Sequence, residues 1–139
     1  MSADFIDSNV FIYLFARSEP GKQSAARAVI RNGLKTGAAI SYQVVQETLN
    51  VITRKLPVPV TTEDARHFLD AVLVPLWRVM PTAALYQRAL DIKARYQFSF
   101  YDSLIIAAAL AEGCTRIYSE DLQHGQRIEG VTIINPFLD

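Results

Sequence analysis

Four carboxylates stand next to predicted strands, at positions that could place them in one site. Asp7 ends an apolar run in FIDSN, and Asp121 follows another in IYSED. Glu47 lies in the helix predicted after the second strand, and Asp102 begins the helix that leads into the fourth. Ligand sites of open parallel sheets lie at the carboxyl ends of the strands. We therefore expect these four side chains to converge.

A site built from carboxylates favours a hard divalent cation. Clustered carboxylates repel one another and raise each other's pKa unless a cation lies among them. Oxygen ligands favour Mg²⁺ or Mn²⁺, whereas Zn²⁺ prefers histidine or cysteine. His67 is expected on a helix surface and His124 in a solvated loop near Asp121, too far apart for a zinc pair. The lone Cys114 is expected to be a small buried side chain.

Each acid also has a purely structural interpretation. Asp102 stands three residues after Ser99, a capping-box spacing that by itself favours helix capping. Glu47 belongs to a polar helical stripe, which is usually a solvated face; its other members are Gln43, Asn50 and Arg54.

The two strand-end acids have structural alternatives of the same kind. Asp7 could cap the next helix, although Ser8 and Asn9 are equally suitable, and Asp121 could be a turn residue. The joint hypothesis is stronger than each separate one, because Asp7 and Asp102 are both tied to apolar runs.

Hydrophobic periodicity predicts strands that alternate with helices. Strands are expected at 3–7, 38–41, 76–80, 115–119 and 131–135. Helices are expected at 8–17, 22–35, 43–56, 61–73, 82–97 and 101–113. This alternation, with several apolar strands, predicts an α/β fold whose parallel sheet is covered on both faces.

The composition predicts one globular domain over residues 1–139. Half of the residues are hydrophobic and a fifth are charged, and the formal net charge is zero. We expect no membrane segment and no leader at the N-terminus, and one cysteine suits a reducing cytoplasm. Residues 17–55 hold seven bases and two acids, so this part carries +5 and the remainder −5. Such asymmetry is usually a solvated face, but it also suits a polyanion beside an acidic site.

Four segments together resemble the PIN domain family, and the chain length is similar to its VapC-type toxin ribonucleases. The segments are FIDSNVFIY, VVQETLN, YDSLIIAAAL and IYSEDLQ. The resemblance implies a three-layer α/β/α sandwich with a five-stranded parallel sheet in the order 3-2-1-4-5. It further implies that the metal-binding catalytic acids are Asp7, Glu47, Asp102 and Asp121.

The resemblance also assigns supporting residues. Asn9 and Ser119 would support the acids through hydrogen bonds. The family's last motif is more often T-x-D, so Ser119 departs from it while keeping the hydroxyl. Glu120 is an additional acid whose role the family pattern leaves open.

The function implied is a Mg²⁺- or Mn²⁺-dependent endoribonuclease that leaves 5′-phosphate ends, the toxin of a toxin–antitoxin pair. RNA as the substrate rests on the resemblance alone. Some of the apolar residues in 10–20 and 68–77 are expected to form a homodimer interface and to receive the antitoxin. The alternative is that these residues are simply part of the core.

Three alternatives remain open. The first is a PIN nuclease outside any toxin–antitoxin system, and the second is a non-catalytic binding or scaffold module. The third is phosphotransfer on another doubly wound sheet, which Asn9 and Arg116 disfavour because that chemistry needs aspartate and lysine there.

Overall fold

The computed structural model describes residues 2–138, which form strands and helices in alternation. The strands are β1 Asp4–Ile6, β2 Ile40–Ser41, β3 Trp77–Val79, β4 Arg116–Tyr118, β5 Arg127–Ile128 and β6 Val131–Ile134. The helices are α1 Ser8–Ile12, α2 Pro20–Thr36, α3 Tyr42–Arg54, α4 Thr62–Phe68, α5 Val74–Leu76, α6 Ala83–Tyr96 and α7 Phe100–Ala111. A 3-10 turn, Tyr13–Phe15, follows α1, and a π-helical segment, Leu69–Leu73, joins α4 to α5.

The strands form two hydrogen-bonded groups that one bridge connects. One group has the order β1-β4-β6-β5, and the other pairs β2 with β3. A parallel bridge between Phe5 and Ala39 places β2 beside β1. The resulting order, β3-β2-β1-β4-β6, is the predicted 3-2-1-4-5 order, and all of these pairs are parallel. The chain reverses its winding direction between β1 and β4, so the carboxyl ends of these strands flank the expected ligand cleft.

The five predicted parallel strands are all present, and the structure adds one short strand at one edge of the sheet. Strand β5 is a sixth strand that pairs antiparallel with β6. Glu129 and Gly130, which connect the two, have φ values of 52° and 92°. Two successive positive φ values are typical of the tight hairpin turn, so the chain folds straight back on itself. A two-residue strand is too short to give a periodic signal.

Side-chain caps define where most helices of the site begin. Ser41, Thr82 and Ser99 each accept a hydrogen bond from the backbone N–H three residues later, at Val44, Leu85 and Asp102. These bonds satisfy N–H groups that have no partner inside the helix. The predicted cap at Ser99 is therefore confirmed, and it fixes the position of Asp102 in the first turn of α7.

Helix α7 forms the centre of the hydrophobic core. Seven consecutive residues, 103–109, are buried, and the helix packs on α6 and against β2, β4 and β6. Its alanines allow other elements to approach closely. Helices α1 and α3 contact each other, and α3 also contacts β2 and β3. The α/β/α sandwich is confirmed. In the part of the chain described here, no helix has the length and apolar character needed to cross a membrane.

Candidate active site

Asp7 is a buried carboxylate at the carboxyl end of β1. It is 5% exposed, and its N–H donates to the Tyr118 carbonyl (2.9 Å), which continues the β1–β4 pairing. Its Oδ1 accepts from the backbone N–H of Ser8 (2.7 Å) and so caps α1. Its Oδ2 accepts from the Ser119 hydroxyl (2.8 Å). Asp7 therefore caps a helix and is also a fixed carboxylate at the edge of the sheet.

The surroundings of Asp7 oppose its ionisation. Burial raises the pKa of Asp7 to about 7, although hydrogen bonds from Ser119 and Ser8 lower it. The charges of Glu47 and Asp121 raise it further. A nearby cation favours the charged form of a carboxyl group, so cation binding would relieve this cost.

Asn9 connects the two strand-end acids. Its Nδ2 donates to Asp7 Oδ2 (3.3 Å), to Asp121 Oδ2 (3.2 Å) and to Ser119 Oγ (3.3 Å). Ser119 is fully buried, and its Oγ also accepts from the Asp121 N–H (3.1 Å). The side chains of Asp7 and Asp121 are thus held by one hydrogen-bond network at the β1 and β4 ends.

Glu47 extends from α3 toward the same edge. Its Oε1 accepts from the Ser8 hydroxyl (3.1 Å), the residue next to Asp7. Its Oε2 accepts from Nε2 of Gln43 (3.4 Å), one turn earlier in α3. Gln43 Nε2 also donates to the Tyr101 carbonyl (3.3 Å), which belongs to the first turn of α7. Gln43 therefore links the helix that carries Glu47 to the helix that carries Asp102.

Asp102 faces the other acids from the start of α7. Burial raises the pKa of Asp102, a hydrogen bond with Ser99 lowers it, and the charge of Asp121 raises it. Asp102 is half-buried, and Asp121 is exposed. The four acids are thus neighbours through shared hydrogen bonds or through their charges.

The donor set fits a hard divalent cation in its chemistry. All of the candidate ligands are oxygens, which suit Mg²⁺ or Mn²⁺. Within residues 2–138, however, no three His, Cys, Asp or Glu side chains are gathered closely enough to hold one ion. Only Asp7 is fixed by burial, and the other three acids are half-buried or exposed. A cation would favour a closer approach of the four carboxylates, because it offsets their mutual repulsion.

The other residues considered for chemistry lie in ordinary positions. His67 is exposed on α4, as predicted. His124 is exposed in a loop, where its Nδ1 accepts from the Asn135 N–H (2.9 Å). Cys114 is buried, as predicted, and burial raises the pKa of its thiol to about 12, so the thiol stays protonated.

Two residues of the candidate site, Gln43 and Ser8, have no functional prediction from the sequence. A polar stripe such as the one that includes Gln43 is usually solvated, but Gln43 is only 5% exposed, whereas Asn50 and Arg54 of that stripe are exposed. Its spacing of four residues from Glu47 was the available signal, because such residues share a helix face. The sequence predicts Ser8 only as a possible helix cap, and no local pattern indicates its contact with Glu47, which lies 39 residues further along the chain.

Two concave surfaces lie away from the acids. A cavity of about 110 Å³ is formed by α6 and the β5–β6 turn, where Arg88, Arg95 and Glu129 line it. The second lies between α6 and the end of α7, with Met80, Arg88 and Glu112 in its wall. Neither contains a residue of the acidic site.

Comparisons with known proteins agree with this fold. Two solved structures share the fold. One is a toxin–antitoxin complex from Klebsiella pneumoniae, with a TM-score of 0.70 and 14% identity over 96% of this chain and 97% of that chain. The other is VapC20 of Mycobacterium tuberculosis, a sarcin–ricin loop cleaving toxin, with a TM-score of 0.63 and 21% identity over 84% of this chain and 88% of that chain. The comparison with curated proteins gave no match. The sequence matches the PIN domain over residues 5–127, a segment that includes all four acids. The chain therefore belongs to the PIN domain family.

Proposed function

We propose that this PIN domain is a metal-dependent endoribonuclease. The observation that carries the proposal is the network that joins the buried Asp7 to Asp121 through Asn9 and Ser119, at the point where the sheet reverses its winding. A carboxylate kept dry beside two other acids is costly for a structural role alone. Such a position is typical of a site that binds a cation.

The chain's own residues would divide the work. The ion, Mg²⁺ or Mn²⁺, would be held by Asp7, Glu47, Asp102 and Asp121; when bound it supplies Lewis acidity and positive charge for phosphodiester hydrolysis. Asp7 is the fixed anchor, since Ser8 and Ser119 hold both of its oxygens. Asn9 keeps Asp121 on the same side of the cleft.

The test is RNA cleavage by the purified chain with Mg²⁺ or Mn²⁺. Asp7→Asn, Glu47→Gln, Asp102→Asn and Asp121→Asn should each reduce cleavage to background, because each removes an anionic ligand. Products should carry 5′-phosphate ends. Asp91→Asn is the matched control, since Asp91 is exposed on α6 and lies outside both the acidic network and the predicted interface segments.

Two results would contradict the proposal. If two of the four variants still cleave RNA, the four acids do not form one catalytic site. A wild-type chain whose melting temperature is unchanged by millimolar Mn²⁺ would remove the metal site, because a ligand of the native state must stabilise it.

We further propose that the nuclease is the toxin of a toxin–antitoxin pair and acts as a homodimer. The support is the shared fold with a toxin–antitoxin complex and with the toxin VapC20. The apolar surface of the second predicted interface segment, 68–77, also supports it, since Val74 is 48% exposed.

A further inference from the structure

Glu120 lies between two residues of the acidic site, yet its carboxylate is occupied by a different set of partners. Lys22 Nζ donates to its Oε2 (2.7 Å), and the Tyr13 hydroxyl donates to its Oε1. Lys22 also donates to the Tyr13 oxygen (3.1 Å), and its ammonium lies 4.8 Å from the centre of the Tyr13 ring. Tyr13, Lys22 and Glu120 form what we call the anchor cluster. Both carboxylate oxygens of Glu120 are committed to it.

The backbone of Glu120 contacts the acidic site directly. Its N–H donates to Asn9 Oδ1 (3.1 Å). This bond fixes which end of the Asn9 amide faces the acids, so that Nδ2 donates to Asp7 and Asp121. The reversed amide would place its oxygen against two carboxylates and its NH₂ against an N–H donor.

We propose that the anchor cluster is a positioning device for the acidic site and that Glu120 is not a metal ligand. Lys22 on α2 and Tyr13 after α1 hold the side chain of Glu120, and its backbone then orients Asn9 between Asp7 and Asp121. Such supporting groups commonly change metal affinity by 10- to 100-fold. The inference deepens the proposed function, since it assumes that the acids bind a metal.

The chain contains a matched cluster with no access to this site. Glu129 accepts from Arg95 Nη1 (2.9 Å) and from the Tyr96 hydroxyl. It lies in the turn before β6, which runs parallel to β4, so it lies at the amino end of the strands. The acids follow the carboxyl ends. In both clusters a glutamate accepts hydrogen bonds from a tyrosine and from a basic side chain, but the two clusters lie at opposite ends of the parallel strands.

The experiment measures Mn²⁺ affinity by calorimetry on the full chain without RNA. Lys22→Met and Tyr13→Phe should weaken binding about 10-fold. Arg95→Met and Tyr96→Phe should leave it unchanged. The direction of the change in Mn²⁺ affinity for Lys22→Met is decisive. By Coulomb's law alone, loss of a positive charge near the acids should tighten the binding of a cation. If Glu120 were a ligand, its release from Lys22 should also tighten binding.

A second measurement does not depend on the metal. The side-chain amide signal of Asn9 in NMR should shift or broaden in Lys22→Met and Tyr13→Phe, and stay unchanged in the two control variants. Mn²⁺ affinity that is unchanged or tighter in both anchor variants, or an Asn9 signal that does not respond, overturns the positioning role. A wild-type chain that binds no Mn²⁺ overturns the proposed metal site instead, and the Asn9 signal then decides the positioning role by itself.

Discussion

At the scale of single residues, Asp7 combines a structural contribution with a structural cost. It caps α1 and accepts the Ser119 hydroxyl, both of which stabilise its charged form. Burial and two acidic neighbours outweigh these bonds and raise its pKa to about 7. The ionised form of Asp7 therefore destabilises the folded chain, at the residue that the proposed mechanism uses as its anchor. Because the ionisation depends on pH, so does this loss of stability.

We expect the metal-free chain to lose stability as the pH rises from about 4 to about 7. In this range the folded state keeps a proton on Asp7, because its folded pKa is about 7. The unfolded state has lost that proton, because there the pKa lies near 3.8, the ordinary value for aspartate. The free energy of unfolding should fall by at most about 1.4 kcal/mol per pH unit from this group, and the fall should end above pH 7.

Urea unfolding from pH 4 to pH 8, on wild type and Asp7→Asn, measures this effect. The difference between the two curves isolates Asp7 from the other groups that titrate. Asp7→Asn should be the more stable protein at pH 8, apart from a small loss of capping. Parallel curves for the two proteins would show that burial does not raise the pKa of Asp7.

At the scale of elements, the site depends on contacts between helices that are distant in the chain. Gln43 joins α3 to the start of α7 across 58 residues, and Glu120 joins the β4 end to α2 across 98 residues. No local pattern reports such pairs. The sequence could predict Asp7 and Asp121 because each follows an apolar strand, and Asp102 because Ser99 marks the start of its helix.

Sequence and structure differ where local signals are weak or ambiguous. A polar stripe on α3 fits both a solvated face and a buried network, so the pattern alone does not predict that Gln43 is buried. Strand β5 has two residues, and its place in the sheet comes from pairing with β6 rather than from its own apolar pattern.

Two buried polar residues of α3 offer a paired test. Nε2 of Gln43 donates to Glu47 and Tyr101, whereas Thr48 Oγ1, like Oε1 of Gln43, has no hydrogen-bond partner among the described residues. Gln43→Leu should weaken Mn²⁺ binding about 10-fold, because it frees Glu47 and disconnects α3 from α7. Thr48→Val should leave Mn²⁺ binding unchanged and stabilise the chain by about 1 kcal/mol, because it removes an unsatisfied buried hydroxyl.

Calorimetry with Mn²⁺ and urea unfolding of both variants give the two quantities. Equal Mn²⁺ affinities for Gln43→Leu and wild type would show that the link between the helices does not position Glu47. Loss of stability in Thr48→Val would indicate that its hydroxyl has a hydrogen-bond partner after all.

At the scale of the whole molecule, the surface combines exposed bases with apolar side chains. The bases Arg27, Arg31 and Lys35 are exposed and recur every four residues, so they lie along one face of α2.

Part of the predicted interface is covered within the chain, since Phe68 packs against Phe11 and Phe15. Val74, in the other half of that surface, remains exposed, as do apolar residues elsewhere: Leu34, Val58, Met80, Tyr86, Leu90, Tyr101 and Leu138.

The proposed homodimer is expected to involve the surface around Val74. Val74→Glu should therefore convert the dimer to a monomer, because a charge buried in an apolar interface is costly. Leu34→Glu on α2 is the matched control, since Leu34 is 41% exposed and lies outside the predicted segments. Light scattering of the three proteins measures the mass in solution. A dimer that persists in Val74→Glu would place the interface on another part of the surface.

Toxicity is the consequence of the proposed function that a cell can report. Production of the chain alone should arrest growth, because an unregulated ribonuclease degrades RNA that the cell needs. Asp7→Asn should abolish the arrest while the protein accumulates, and co-expression of the reading frame immediately upstream should relieve it by supplying the antitoxin. The control is Asp91→Asn, on the exposed side of α6 and outside the predicted interface segments, which should arrest growth like wild type. The overproduced chain could instead be harmless and yet cleave RNA in vitro with Mn²⁺. That result would support the nuclease and contradict the toxin assignment, because the same acidic site would then serve a reaction that the cell tolerates.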